Sequence, residues 1–217
     1  MTEENDDLRR LLEKRLKALD LSTTYEQREQ FLAFIALLHR WNKAFNLTAV
    51  REPSQMIDRH IIDSLSIAPY LEGDRLLDVG TGAGLPGIPL SVIYLERQFT
   101  LLDSNQKKQV FVSQAVKSLD LKNVQCACTL VQTYQATQKF STILTRAFAP
   151  LAEMIKLCAH LLANDGHFFA MLGKTTPELL AVPVGFQVKD LIKLSVPGEE
   201  GERHLAIIQS ERKECIP

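Results

Sequence analysis

The chain has 217 residues, 46% of them hydrophobic and 24% charged, which excludes disordered, collagenous and fibrous classes and fits a globular protein. At this length roughly 70% of the unfolded surface is buried on folding, so a core holds without disulfides or a structural metal, and one domain is the expected count. Lys and Arg number 25 against 26 Asp and Glu, a formal net charge of −1 that rules out a uniformly basic coat for nucleic acid but allows a local basic patch.

Residues 1–7 are acidic where a signal or transit peptide is basic, and the longest apolar run, Phe31–Leu38, falls far short of the ~20 residues that span a bilayer. The expected location is therefore the cytoplasm. In Asp6–Leu19, Leu8, Leu11, Leu12, Leu16 and Leu19 recur at three- and four-residue steps and form the apolar stripe of an amphipathic helix. Thr23 or Thr24 can cap a second helix running to about Asn42, because a hydroxyl before the first turn satisfies orphan amides. A third, short helix is expected from Pro53. We read residues 1–70 as a helical cap packed on a core made by residues 71–217, the two forming one compact unit.

From Arg75 short apolar or β-branched runs alternate with helical ones, the pattern of βαβ units and a mostly parallel sheet. Arg75–Val79, Gln98–Asp103, Val124–Cys128, Phe140–Arg146, His167–Leu172, Phe186–Leu194 and Arg203–Gln209 read as seven strands. Helices are expected at about Ile88–Tyr94, Lys107–Leu119, Pro150–Leu162 and Thr175–Ala181. Only the turn-rich segment Ser195–Gly201 joins the last two strands, so they should pair as an antiparallel hairpin. Cys126, Cys128, Cys158 and Cys215 contain no CxxC pair, so buried or free thiols are expected and no metal site.

The segment Leu76–Ile88 runs from apolar strand into glycine-rich turn, with Pro86 and Pro89 where a first helical turn tolerates a missing amide. Gly82, Gly84 and Gly87 also satisfy the dinucleotide pattern GxGxxG, with Asp103 about twenty residues on, so the turn alone indicates a nucleotide-like cofactor without saying which. Asp78 bears on the choice. A carboxylate two residues before Gly80 would face the pyrophosphate of a dinucleotide and repel it, whereas a sulfonium and an ammonium would be attracted. S-adenosylmethionine carries both charges and no phosphate. Asp103 would then accept hydrogen bonds from the ribose hydroxyls. The alternatives are that Asp78 caps a turn and Asp103 caps the helix after it.

Methyl transfer from a sulfonium is an in-line displacement in which the acceptor must be oriented and, for some acceptors, deprotonated or activated covalently. After the fourth strand the chain reads Leu144-Thr-Arg-Ala-Phe-Ala-Pro150, with an arginine but no acid or thiol. An acceptor with a free lone pair, such as a purine ring nitrogen, needs only orientation and electrostatic guidance, and Arg146 can donate to a base edge, a phosphate or the cofactor carboxylate. An ion pair fixing the strand end is its alternative role.

These blocks, with Trp41–Thr48, Arg59–Ser64, Asp78–Pro89, Leu102–Ser104, Lys107-Lys108, Arg146–Phe148 and Gly201–His204, resemble the bacterial small-subunit (16S) ribosomal RNA guanine-N7 methyltransferases, also called the glucose-inhibited division protein B family. The likeness runs from about Leu37 to Gln209. It implies a class I methyltransferase fold, a seven-stranded mostly parallel sheet with an antiparallel last strand plus N-terminal helices. It also implies an S-adenosylmethionine site with Gly80, Thr81, Gly82 and Leu85 on the turn, Asp103 on the ribose, Val131 and Gln132 near the adenine and Arg146 at the mouth. The implied reaction is methylation of N7 of one guanine in a decoding-region loop of the RNA, within the 30S subunit or an assembly intermediate, by an enzyme expected to be a monomer. Two positions depart from the family: Gln132 replaces a usual acid, and Leu172 a usual lysine, with Lys174 two residues on.

Arg40, Lys43, Arg51 and Arg59 against Glu52 and Asp58 give residues 39–60 a local net charge of +2. With Arg146 and the RNA-binding candidates Lys107, Lys108, Lys174, Arg203 and His204, they can form a basic rim for phosphate contacts, or an ordinary solvated face. His60 is an RNA or core residue. Phe148 is the better stacking candidate for an unstacked guanine, ahead of Trp41 and Phe45. A small-molecule methyltransferase, a nicotinamide-dependent oxidoreductase and a non-catalytic RNA-binding protein are the other readings.

Overall fold

The computed structural model describes residues 3–146, 149–176 and 180–211. Helix α1 (Glu3–Ala18) buries Leu12 and Leu16, two members of the expected leucine stripe. Thr24 is the cap of α2 (Tyr25–Phe45): its hydroxyl accepts from the Gln27 amide while the Gln27 side chain accepts from the Thr24 amide, a reciprocal capping box. Pro53 opens α3 (Pro53–Met56), which is not short in effect. Backbone dihedrals stay helical through a π-helical stretch (Ile57–Ile62) and a last turn, α4 (Asp63–Leu65). The wide turn is the correction to the expected short helix, and such turns concentrate at functional positions.

The seven expected strands form one sheet. β1 (Arg75–Val79), β2 (Gln98–Asp103), β3 (Val124–Cys128), β4 (Phe140–Arg146) and β5 (Leu162–Leu172) are parallel; β6 (Phe186–Leu194) and β7 (Arg203–Ser210) pair antiparallel, and β7 also runs antiparallel to β5. The order is β3-β2-β1-β4-β5-β7-β6. Chain order reverses between β1 and β4, the switch point where open α/β sheets leave a crevice at the strand tips.

Helices α5 (Gly87–Ile93) and α6 (Gln106–Ser118) follow β1 and β2, and α7 (Leu151–Cys158) follows β4. The expected helix Pro150–Leu162 ends early, because a 3₁₀ turn at Ala159–Leu161 leads straight into β5. In the expected helix Thr175–Ala181, Thr175 and Thr176 are not helical and residues 177–179 lie outside the described residues. The cap helices meet the sheet layer through apolar side chains: Phe34 and Trp41 of α2 pack on Phe111 of α6 at ring-centroid distances of 6.2 and 5.7 Å. Trp41 also lies 5.2 Å from Phe45, so its indole is spent on packing. An Arg15–Asp58 ion pair at 2.8 Å ties α1 to the π-helical stretch.

Among the described residues no helix is long and apolar enough to cross a membrane. Cys158 is buried, and burial pushes its thiol up to about 12. Cys126 and Cys128 are unpaired; Cys215 lies outside the described residues.

Candidate active site

The β1–α5 turn is built by residues with few alternatives. Gly80, Gly82 and Gly84 all have positive φ (66°, 60° and 81°), a region that costs any residue with a Cβ. A Cβ on Gly82 would meet no atom nearer than the Gly80 carbonyl at 3.8 Å, so this glycine is needed for its backbone and leaves an open approach. Gly87 is needed for space: a Cβ there would overlap the Leu101 side chain and lie 2.8 Å from Asp78 Oδ2. The helix N-terminus thus packs directly on the sheet.

Asp78 is the first correction. Its side chain is 0% exposed and Oδ2 accepts from the Thr81 hydroxyl at 2.6 Å and from the Gly87 amide at 2.9 Å. It braces the turn from beneath instead of lining the cleft, as the turn-capping alternative supposed. Thr81 is buried with it, and Leu85 lies in the main core cluster. Any attraction of Asp78 for a cation therefore acts through the turn.

Asp103, by contrast, sits at the cleft. Oδ2 accepts from the Gly82 amide at 2.9 Å and Oδ1 from the Asn105 amide at 2.8 Å, which fixes the carboxylate and leaves one lone pair on each oxygen. It borders a cavity of about 330 Å³ with Gly80, Lys108, Val131 and Gln132. Gln132 belongs to a 3₁₀ turn (Val131–Thr133) and is exposed, whereas Val131 is buried. The volume, the two free carboxylate lone pairs and the apolar Val131 fit the adenosine portion of S-adenosylmethionine.

On the other side of the β1–β4 pair lies a second cavity of about 410 Å³, walled by Leu151, Met154, Met171 and Leu172. Its polar edge is an ionic network. Arg146 Nη1 donates to the Arg59 carbonyl at 3.0 Å and to Asp63 Oδ2 at 2.9 Å. Arg203 Nε donates to Asp63 Oδ1 at 3.0 Å and its Nη2 to Glu199 Oε2 at 3.2 Å, while Arg59 Nε donates to Glu199 Oε1 at 2.9 Å. A larger cavity, about 600 Å³, lies at the far end of β5 near Asn164 and His167, away from the glycine turn.

Reading the sequence alone misses Asp63 and Glu199. Asp63 falls in the Arg59–Ser64 block four residues after Arg59, the spacing of a helical ion pair. Its partners are Arg146 and Arg203 instead, because the π-helical stretch and the fold turn it toward the strand tips.

His60 is the second correction. It is 4% exposed, with Nε2 2.9 Å from the Thr48 hydroxyl, which makes it a core residue and not one on the basic rim. Burial, then the nearby Arg146 charge, pushes its ring down to about 4. Arg59, Lys107 and Lys174 are exposed, and Lys108, Arg203 and His204 are half-buried. His204 Nδ1 lies 2.9 Å from the Gly173 carbonyl, which anchors the loop after β5. Phe148 lies outside the described residues. Arg51 is occupied by the Asn42 carbonyl and the Asn46 side chain. Among the described residues no cluster of three or more His, Cys, Asp or Glu could hold a metal.

Asp78 and His60 should oppose one another in acid. Burial raises the Asp78 carboxyl from 3.8 to about 6, so the native state holds its proton longer than the unfolded chain and stability falls as pH rises from about 4 to 6. His60 drops from 6.5 to about 4, so it favours the native state above 6.5 and that contribution is lost as pH falls to 4. Each displacement amounts to about 3 kcal/mol. Asp78→Asn can keep both accepted hydrogen bonds through its amide oxygen and removes one titration. Urea unfolding of this variant should show acid destabilisation steeper than the wild type by about 3 kcal/mol across that window; parallel profiles would refute the assignment.

The fold and the glycine turn define the class: an S-adenosylmethionine-dependent methyltransferase of class I. The glycopeptide N-methyltransferase MtfA, solved with S-adenosyl-L-methionine, shares the fold at a TM-score of 0.58 and 9% identity, covering 70% of this chain and 88% of its own. A methyltransferase of Thiobacillus denitrificans, solved with S-adenosyl-L-homocysteine, does so at 0.51 and 15%, covering 69% and 90%. Sequence narrows the class, since the family model for rRNA small subunit methyltransferase G matches residues 27–206. The ribosomal RNA small subunit methyltransferase G of Escherichia fergusonii is 46% identical over 198 residues, 91% of this chain and 96% of its own. That of Marinobacter nauticus is 50% identical over 194 residues, 89% and 91% of the two chains. The chain belongs to the rRNA small subunit methyltransferase G family.

Proposed function

We propose that this protein methylates N7 of one guanine in small-subunit ribosomal RNA, acting as a cytoplasmic monomer on the 30S subunit or an assembly intermediate. The observation that carries the reading is the pair of cavities flanking the switch point, one bordered by Asp103 and Val131, the other edged by Arg146, Asp63 and Arg203. Asp103, Gly80, Gly82 and Val131 would hold S-adenosylmethionine, which when bound supplies a methyl group on a sulfonium.

The residues of the second cavity suit an acceptor that has no proton to lose. Guanine N7 presents an in-plane lone pair, so no general base is required, and the described side chains there offer donors rather than a free base. Arg146 can donate to O6 beside it, orienting the ring while leaving N7 free. The purine gains positive charge as the methyl arrives. Asp63, buried behind Arg146 and Arg203, offsets their charges so that orientation does not become repulsion. Apolar walls from Met154 and Met171 exclude water around the base.

Saturation with S-adenosylmethionine at one hundred times its dissociation constant should stabilise the fold by about 2.7 kcal/mol, raising Tm by about 5–10 °C, and NADH should leave Tm unchanged. The reverse result refutes the donor. The acceptor is tested by label transfer to small subunits lacking the modification, followed by mapping of the labelled nucleotide; label on small molecules only would favour a small-molecule methyltransferase.

A further inference from the structure

Glu199 lies in the loop joining β6 to β7, yet its side chain is 8% exposed, bridging two guanidinium groups from separate parts of the fold. Each oxygen takes one donor, Arg59 Nε at 2.9 Å and Arg203 Nη2 at 3.2 Å. Arg59 remains 54% exposed, so the pair faces outward at the mouth of the second cavity. Two guanidiniums holding separate oxygens of one anion is also the arrangement in which arginines take a phosphodiester.

We propose that Glu199 is a resident anion occupying a phosphate site between Arg59 and Arg203, and that a phosphodiester of the substrate RNA displaces it. The inference rests on the reading of the substrate as RNA. The inner carboxylate cannot play this part: Asp63 is enclosed and holds Arg146 as well as Arg203. The loop supplies the means of exchange. Gly198, at φ 94°, packs against the Asp58 and Arg15 side chains where a Cβ would overlap them, so the loop is held at residue 198 and displacement requires only the Glu199 side chain to rotate away. Until RNA arrives, Glu199 offsets part of the charge of two cations that would attract any polyanion. With three arginines against two carboxylates, loss of Glu199 from the network doubles its net positive charge from +1 to +2.

Displacing a tethered carboxylate releases fewer counterions than binding to free guanidiniums, and this gives a specific signature. Anisotropy titrations of a guanine-containing single-stranded RNA oligonucleotide across a salt series would use the wild type, Glu199→Gln, Glu199→Asp and Glu200→Gln. Glu199→Gln should bind about five- to tenfold tighter at low salt, with a log–log salt slope steeper by about 1. Glu199→Asp keeps the charge but is too short to bridge both arginines, and it should also bind tighter than the wild type. Glu200→Gln makes the same charge change on an exposed neighbour and should shift affinity less than twofold. Equal effects of Glu199→Gln and Glu200→Gln, or weaker binding by both Glu199 variants, would overturn the proposal and leave Glu199 a brace of the hairpin. Binding is read without methyl transfer, so failure of label transfer with these affinities intact would refute the reaction and not the displaced anion.

Discussion

Arg146→Ala should lower methyl transfer to small subunits by about 10²–10³-fold while costing the fold only about 1–2 kcal/mol. The stability loss is bounded because Asp63 keeps a second guanidinium, Arg203, on its Oδ1 after Arg146 is removed. The catalytic loss is larger because no other described side chain at the tip of β4 offers a planar donor to the second cavity. Arg146→Lys separates charge from geometry: an ammonium retains the ion pair with Asp63 but cannot present the same flat pair of donors to O6. It should regain most of the stability and little of the rate. Single-turnover label transfer and urea unfolding on the same preparations give both numbers. If Arg146→Ala lost rate only in proportion to folded fraction, Arg146 would be a structural residue and the acceptor geometry would need another donor.

Asp63→Ala should be the most damaging single change in the network, destabilising the protein by about 3–5 kcal/mol. Its side chain is 5% exposed and holds two guanidiniums, so truncation leaves two cations facing each other across a poorly hydrated gap. Asp63→Asn fills the space but supplies one acceptor where two are used, and should fall between Ala and the wild type in stability. Methyl transfer should fail in both variants even after correction for folded protein, because Arg146 Nη1 then keeps only the Arg59 carbonyl and loses the carboxylate that orients it. Thermal and urea unfolding with single-turnover transfer would check this; a fully active, folded Asp63→Asn variant would show that Arg146 needs only the Arg59 carbonyl to be positioned.

Much of the scaffold is local in origin and was therefore legible. The bounds of β1 to β4 and of β6 follow from short apolar runs flanked by turn residues, and Thr24 starts α2 because its hydroxyl and Gln27 lie three residues apart. β5 begins at Leu162, five residues before the expected His167. Asn164-Asp165-Gly166 looks like a turn, but the strand accommodates it with a register shift opposite Phe140–Thr142, where Gly166 lets the backbones come close. The π-helical stretch has no comparable sequence signature, since it depends on what the helix must present to the strand tips.

The site divides along the same line. Period, turn chemistry and the glycine-rich stretch, all properties of neighbours in sequence, determined the sheet, its terminal hairpin and the glycine turn, with Asp103 at the end of β2 on the cavity beside it. Tertiary structure alone decided that Asp78 points down into the sheet, that His60 is sealed against Thr48, and that Asp63 joins arginines 83 and 140 residues away. A charged side chain in a sequence carries no record of which distant partner will share its burial. Solvation cost and pairing are settled together, only when the chain closes.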